Sequence, residues 1–164
     1  MGDAQISLLQ RMPVFGGICE DILKFLLELS PLVSVPQSQF FFHQGNQADS
    51  MFVLERGKVV ILKTWQGREY LLQHRHAGDC FGEMALIDLC PRSASVLAVE
   101  DCAAIEISST TLYRIYEKDL EQLALIYMNM GREVSRRLRE ADERLFQAKV
   151  EAVLIGEDYT FKSV

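Results

Sequence analysis

The 164-residue sequence predicts a mainly β domain flanked by helices, with an antiparallel sandwich or barrel at its centre. Three observations predict this class. Apolar residues recur at helical spacing within residues 1–31. Short β-branched and aromatic stretches, separated by turns that contain glycine, fill residues 32–108. A heptad pattern then runs from residue 120 to residue 152 and predicts one long C-terminal helix.

The first 31 residues predict an N-terminal helical segment. Apolar side chains follow helical periodicity over residues 5–12 and again over residues 18–30. Pro13 ends the first of these helices, and the Ser30-Pro31 pair ends the second, because the residue before a proline avoids the helical conformation.

Residues 32–108 predict a β-roll made of short strands. Turn-forming glycines interrupt this region at Gly45, Gly57, Gly67 and Gly78. The predicted strands include residues 51–54, 58–63, 70–73, 95–99 and 103–107. Close, regular spacing of this kind is typical of antiparallel sheets that pack face to face or close into a barrel.

Composition and charge exclude several functional classes. Hydrophobic residues make up 49% of the chain and charged residues 24%, which is typical of a globular domain. The net charge of −6 argues against a protein whose main partner is the phosphate backbone of a nucleic acid. Residues 1–11 lack the apolar core of a signal peptide, and no apolar run reaches membrane-spanning length. We therefore expect a cytoplasmic protein with no membrane partner.

The cysteines and histidines predict no metal or redox site and no cofactor. The four cysteines are Cys19, Cys80, Cys90 and Cys102. They form no C-x-x-C pair, and we expect buried or half-buried free thiols. His74 and His76 share one face of a predicted strand, but no third metal ligand accompanies them.

The stretch from Phe81 to Ser95, residues 81–95, carries the strongest functional signal. Gly82 and Glu83 stand at the start of a predicted helical turn, where unpaired backbone N–H groups and a partial positive charge favour an anion. Arg92 adds a planar group that can hold two phosphate oxygens. An ionised Glu83 only accepts hydrogen bonds, so it suits a sugar hydroxyl. The pattern indicates a phosphorylated sugar, and a simple Glu83–Arg92 pair within a loop is the alternative.

This stretch resembles the phosphate-binding cassette of the cyclic-nucleotide-binding domain family, which includes the bacterial catabolite activator and the regulatory subunit of protein kinase A. The shared pattern is Phe-Gly-Glu, an apolar helical turn, and an arginine followed by small residues. Phe42, Gly45, the residues 52–54 and Gly57 also match the family, so that the resemblance covers residues 32–145. It implies that the β-roll is an antiparallel jelly-roll β-barrel.

The resemblance implies a ligand-binding role for ten residues. These are Gly82, Glu83, Met84, Ala85, Arg92, Ser93, Ala94, Ile61, Leu72 and Arg137. Arg92 and the backbone N–H groups of residues 85, 93 and 94 are expected to meet the cyclic phosphate. Glu83 and the Gly82 carbonyl are expected to hold the ribose 2′-hydroxyl, with Ile61 and Leu72 flanking the sugar and base. Arg137 is expected near the ligand, with a solvated helix charge as the equal alternative.

Three departures from the family pattern leave the choice of nucleotide open. Leu89 stands where related cassettes often have glycine. The Ser93 hydroxyl could bond a phosphate oxygen or the amino group of a syn guanine. Ala141 falls where the catabolite activator has a hydroxyl residue that reads adenine, and the neighbouring Asp142 could accept from guanine. Cyclic AMP is the family default, and cyclic GMP remains open.

Residues 109–155 predict a hinge helix followed by the long helix, and residues 156–164 form a tail. A short helix over residues 109–117 precedes a helix that starts near residue 118 and ends before Gly156. A hinge is expected over residues 116–119.

The long helix carries an apolar seam that predicts a homodimer. The seam residues are Leu120, Ala124, Tyr127, Gly131, Val134, Leu138, Ala141, Leu145, Ala148 and Ala152. About 35 residues span roughly 50 Å, longer than a small barrel, so part of the seam should pack on a partner. In a parallel pair Arg137 would attract Asp142, whereas Arg144 would repel Lys149. The alternative is a seam packed on its own barrel.

Together these patterns predict a regulatory or sensor domain, not an enzyme, that binds cyclic AMP or cyclic GMP and converts binding into a helix rearrangement. One alternative is a degenerate relative that serves dimerisation or protein interaction without nucleotide. A phosphodiesterase or hydrolase is less well supported, because no nucleophile triad or acid–base pair with a metal cluster is evident. Residues 155–164 are too few for a DNA-reading module, so no direct DNA binding is expected.

Overall fold

The computed structural model describes residues 2–154. Its helices are α1 (Gly2–Gln10), a 3-10 helix (Pro13–Phe15), α2 (Glu20–Leu29), α3 (Met84–Asp88), α4 (Ser109–Lys118) and α5 (Leu120–Leu154). Its strands are β1 (Leu32–Val35), β2 (Phe40–Phe42), β3 (Ser50–Arg56), β4 (Lys58–Trp65), β5 (Arg68–His76), β6 (Cys80–Phe81), β7 (Ser95–Ala98) and β8 (Cys102–Ser108).

The strands form two four-stranded antiparallel sheets, with the orders β1-β8-β3-β6 and β2-β7-β4-β5. Neighbours in each sheet are distant in sequence, apart from the β4–β5 hairpin. The predicted fold class is confirmed: within residues 2–154, antiparallel strands are flanked by N-terminal helices and followed by a long C-terminal helix.

Two apolar clusters hold residues 1–130, the first of two compact units into which the chain divides. One cluster joins α1, the 3-10 helix and α2 to β3, β8, α4 and the first turns of α5. The other lies within the β-roll and contains Phe52, Phe81 and Val96. The cassette emerges directly from this second cluster, so its backbone is anchored in packed side chains.

The structure corrects two sequence expectations. The strand predicted over residues 70–73 is β5, Arg68–His76, whose side chains are mostly exposed. An edge strand with few buried side chains shows little alternation of apolar and polar residues, so the sequence pattern did not reveal where this strand begins and ends. The cysteine prediction was wrong in part, because Cys19 and Cys90 are exposed and only Cys80 and Cys102 are buried.

The first turns of α5 do not pack their seam on the domain. Leu123, Ile126, Asn129 and Met130 are the buried residues of this segment, whereas Leu120 and Tyr127 of the seam are exposed. The alternative that the seam covers its own barrel is therefore wrong for this part of the helix. The predicted helix end at Gly156 lies outside the described residues.

The second compact unit begins at residue 131 and is described up to residue 154, where α5 ends. Of its seam residues, Leu138, Ala141, Leu145 and Ala148 are exposed, whereas Val134 and Ala152 are half-buried. Ion pairs of neighbouring turns, among them Arg136–Glu133 at 2.7 Å, support the helix. No helix among the described residues is both long enough and apolar enough to cross a membrane.

Candidate functional site

The cassette turns sharply between β6 and α3 at Gly82. Its φ of +81° is a conformation that glycine adopts without a steric penalty. A Cβ atom built at this position would lie 2.5 Å from Nη1 of Arg92 and 3.4 Å from the Ser50 carbonyl oxygen. Gly82 is therefore required both by the turn and by the close approach of the arginine.

Leu89 ends α3 in the left-handed conformation, with a φ of +56°. In the sequence, Leu89 stands where related cassettes often have glycine, and the left-handed turn explains why glycine suits this position. The backbone makes the glycine-type turn although the residue carries a side chain, which remains 80% exposed.

Arg92 is buried, and three hydrogen bonds to other described residues hold its guanidinium. Nη1 donates to the carbonyl oxygens of Ser50 (2.7 Å) and Gly82 (3.1 Å), and Nη2 donates to Oγ of Ser50 (3.2 Å). Only 7% of the residue is exposed. Because the partners are two backbone oxygens and one hydroxyl, the guanidinium keeps its full positive charge without a neutralising bond.

An aromatic ring and the charges of three carboxylates also act on Arg92. Its guanidinium lies 3.9 Å from the centroid of the Phe42 ring, which stabilises the cation. Burial lowers the pKa of Arg92, while the charges of Asp49, Glu106 and Glu83 act in the opposite direction. Because the reference pKa of arginine is so high, the side chain stays protonated.

Two N–H groups of Arg92 are left over. A guanidinium has five donors, and the three bonds to Ser50 and Gly82 use three of them. Nε is buried without a hydrogen-bond partner among the described residues. Nε and Nη2 share one edge of the planar group, and this edge retains the Nε–H and one Nη2–H for a further acceptor.

The other predicted phosphate donors lie on the same loop. Ala85 is buried in the first turn of α3, and Ala94 is buried just before β7, whereas Ser93 is exposed. Among residues 2–154, no hydrogen bond uses the backbone N–H of Ser93 or Ala94. The Ser93 hydroxyl lies 4.0 Å from the sulfur of Met84, whose side chain is partly exposed.

The predicted sugar-binding carboxylate, Glu83, lies at the N-terminal boundary of α3 and is only 3% exposed. Its charge raises the pKa of Arg92, so the two side chains act on each other electrostatically. The hydrogen bonds of Arg92 go to Ser50 and Gly82, and the simple loop pair therefore does not describe how the arginine is held.

The remaining predicted site residues lie on other elements. Ile61 on β4 is partly buried against the inner cluster of the β-roll. Leu72 on the edge strand β5 is 48% exposed, at a shift in the register between β4 and β5. Arg137 on α5 pairs with Glu133 at 3.1 Å, so its ligand contact stays a prediction.

Sequence reasoning missed Ser50 and Phe42 as part of this site. Phe42 carried only a family-pattern signal, and its contact with Arg92 arises because β2 pairs with β7, directly after the cassette. Ser50 carried no signal, since a serine at the start of a strand is common. Within residues 2–154, no group of three or more histidine, cysteine or acidic residues could hold a metal ion.

The chain is similar to one known protein family and to several solved structures. The model of the cyclic nucleotide-binding domain family matches residues 32–119, more than half of the chain. The cyclic AMP receptor protein of Thermus thermophilus is 33% identical over 138 residues, which are 81% of this chain and 60% of that protein. The chain thus spans about 60% of the length of this curated relative.

Two solved structures have a similar fold. The Thermus thermophilus catabolite activator protein gives a TM-score of 0.73 at 30% identity, over 84% of this chain and 63% of that one. A cyclic nucleotide-binding domain from Methylobacillus flagellatus gives a TM-score of 0.80 over 90% of this chain and 83% of that one. Its 20% identity shows a shared fold alone. The family match and these relatives, together with the cassette, show that the chain belongs to the cyclic nucleotide-binding domain family.

Proposed function

We propose that this chain is a regulatory module that binds a cyclic purine nucleotide, either cyclic AMP or cyclic GMP. The observation that carries the proposal is the orientation of Arg92. Hydrogen bonds from Nη1 and from one N–H of Nη2 fix the guanidinium. The Nε–H and the second N–H of Nη2 are left as donors for a ligand. Two donors on one edge suit two oxygens of a phosphate.

The cyclic phosphate would lie between this edge and the backbone of the cassette. The N–H groups of Ala85, Ser93 and Ala94 supply neutral donors beside a buried cation, and a buried charge interacts more strongly with an anion than an exposed one does. Both cyclic purine nucleotides carry the same ring phosphate, so this part of the site supports the class of ligand and leaves the base open.

The ribose would be held by Glu83 and Gly82. The carboxylate can accept a hydrogen bond from the 2′-hydroxyl, and the Gly82 carbonyl has a second lone pair beyond the one that Arg92 uses. Ile61 and Leu72 would supply apolar surface to the sugar and base, which is consistent with the half-exposed position of Leu72.

Binding would be converted into a helix rearrangement. α4 ends at Lys118 and α5 begins at Leu120, so that Asp119 alone joins two helices. A ligand that binds better to one arrangement of these helices shifts the population towards it. We further propose that two chains pair through the exposed seam of α5, so that the rearrangement is read by a homodimer.

Calorimetric titration of wild-type protein and two matched arginine variants tests the proposal. Arg92→Ala should weaken binding of both nucleotides by roughly 100-fold or more, because it removes a charged bidentate contact. Arg68→Ala removes the same charge from an exposed position on β5 and should leave affinity unchanged. The nucleotide recovered after incubation should be chemically intact.

The degenerate alternative makes a different prediction for the same experiment. A relative that serves only dimerisation would give no heat with either nucleotide while still forming dimers. Equal affinity of Arg92→Ala and wild type for a bound nucleotide would instead refute the phosphate role of the arginine.

A further inference from the structure

Ser50 holds the guanidinium of Arg92 through two of its own atoms. The Ser50 carbonyl oxygen accepts from Nη1 at 2.7 Å, and its Oγ accepts from Nη2 at 3.2 Å. Among residues 2–154, the hydroxyl is therefore the one hydrogen-bond partner of Nη2, the nitrogen that shares the free edge with Nε. Ser50 is 4% exposed, so water does not replace this contact readily.

Ser50 is itself fixed by the sheet. It is the first residue of β3 and pairs with Ser108, the last residue of β8. The preceding residue is tied as well, because the Asp49 carbonyl accepts from the backbone N–H of Ser109 at 2.7 Å. A hydroxyl on a paired strand, with its neighbours bonded on both sides, defines a position more precisely than one on a loop.

We propose that Ser50 is a positioning residue for nucleotide binding, and that its hydroxyl sets the direction in which Arg92 presents its free edge to the phosphate. The inference rests on the proposed function. Without Oγ, the guanidinium would still be held at Nη1 by Ser50 and Gly82 but could pivot about that nitrogen. The free N–H groups of Nε and Nη2 would then no longer have a fixed direction. Phosphate binding would have to order the guanidinium, and the lost conformational entropy would weaken the affinity.

The rival explanation is that the Ser50 hydroxyl only stabilises the fold. Three variants separate the two. Ser50→Ala removes the hydroxyl, and Ser50→Thr retains it. Thr111→Val is the control, since it removes an equally buried hydroxyl that bonds the Ser108 hydroxyl and the Leu29 carbonyl and makes no bond to Arg92. The backbone pairing of Ser108 with Ser50 stays in place in this variant.

The measurements are the affinity for cyclic AMP and cyclic GMP by calorimetry and the melting temperature without ligand. Ser50→Ala should weaken the affinity for both nucleotides by the same factor, roughly five- to twentyfold. Ser50→Thr should restore affinity to within about threefold of wild type. Thr111→Val should lower the melting temperature and leave affinity unchanged, because it does not touch Arg92.

The outcomes distinguish this inference from the function on which it rests. If wild-type protein binds neither nucleotide, the proposed function fails. If wild type binds and Ser50→Ala binds equally well, the positioning role is refuted and the proposed function stands. If Ser50→Ala and Thr111→Val lose affinity to the same extent, the Ser50 hydroxyl only stabilises the fold.

Discussion

At the scale of single residues, Arg92 is both a structural group and the proposed ligand contact. Its bonds satisfy the carbonyl oxygens of Ser50 and Gly82 and cover the Phe42 ring. Removing one partner of a buried charged network leaves the others unsatisfied, so Arg92→Ala should also destabilise the fold. Affinity must therefore be measured on samples shown to be folded.

Gly82 gives the first prediction at this scale. Gly82→Ala introduces a Cβ atom 2.5 Å from Nη1 of Arg92 at a φ of +81°, so the arginine must move. We expect a loss of about 2 kcal/mol in the free energy of unfolding and weaker nucleotide binding. Urea unfolding and calorimetry would measure the two effects.

Gly67→Ala is the matched control for Gly82→Ala. Its φ of +73° is similar, but no atom lies within 4 Å of the added Cβ. It should therefore cost only the strain of the turn and leave affinity intact. Equal losses of stability and affinity in the two variants would contradict the close contact between Gly82 and Arg92.

Leu89 gives the second residue-scale prediction. Leu89→Gly relieves the strain of a left-handed backbone conformation. Because the Leu89 side chain is 80% exposed, its removal gives up little buried apolar area. The relief of about 1–2 kcal/mol exceeds the entropic cost of glycine in the unfolded chain, so stability should rise slightly. Arg139→Gly, at an exposed position inside α5 and outside the seam, should instead lose about 1 kcal/mol. A similar loss in both variants by urea unfolding would refute the strain.

At the scale of elements, the junction between α4 and α5 depends on Asp119. Its backbone N–H donates to the Ile115 carbonyl at 2.7 Å and closes α4. Its Oδ1 accepts from the backbone N–H of Gln122 at 3.0 Å and begins α5. One extended residue therefore ends one helix and caps the next, which places the proposed hinge at this position.

The cap predicts a specific cost. Asp119→Ala removes the acceptor at the start of α5 and should lower the free energy of unfolding by about 1 kcal/mol. Asp119→Asn keeps an acceptor of the same size and should retain most of the stability. Chemical unfolding of the two variants provides the measurement, and equal losses would show that the charge, not the hydrogen bond, stabilises the junction.

The sequence predicted those elements whose residues carry periodic or turn signals of their own. The helices before Leu32, the cassette turn and the seam of α5 were evident because apolar spacing and glycine position are local properties. The edge strand β5 was underestimated because its side chains are mostly exposed. Ser50 was missed because its role arises from strand pairing that brings it to Arg92, forty-two residues away in sequence. Contacts of this kind are set by topology and leave no local pattern.

At the scale of the whole molecule, the exposed seam of α5 is the proposed dimer surface. Leu138 and Leu145 lie on this seam and are exposed, as is Ala141 between them. A heptad seam that is rich in alanine and glycine permits close approach but buries little apolar area. We therefore expect a reversible dimer whose population depends on concentration.

Paired substitutions test this surface. Leu138→Lys places a charge in the heptad seam and should make the protein monomeric, because a buried lysine opposes the pairing of apolar residues. Phe146→Lys makes the same kind of change outside the seam at a side chain of equal exposure, 61% against 60%. It should leave the dimer intact. Sedimentation velocity over a range of concentrations would show both, and a wild-type protein that is monomeric throughout would refute the dimer.

In the proposed function, the domain recognises a cyclic phosphate through the free edge of Arg92. The most direct measurement is calorimetric titration of the wild-type protein with cyclic AMP, cyclic GMP and the corresponding nucleosides, which lack the phosphate. We expect saturable binding of at least one cyclic nucleotide and no detectable binding of its nucleoside. Equal binding of nucleotide and nucleoside, or no binding of either cyclic nucleotide, would contradict it.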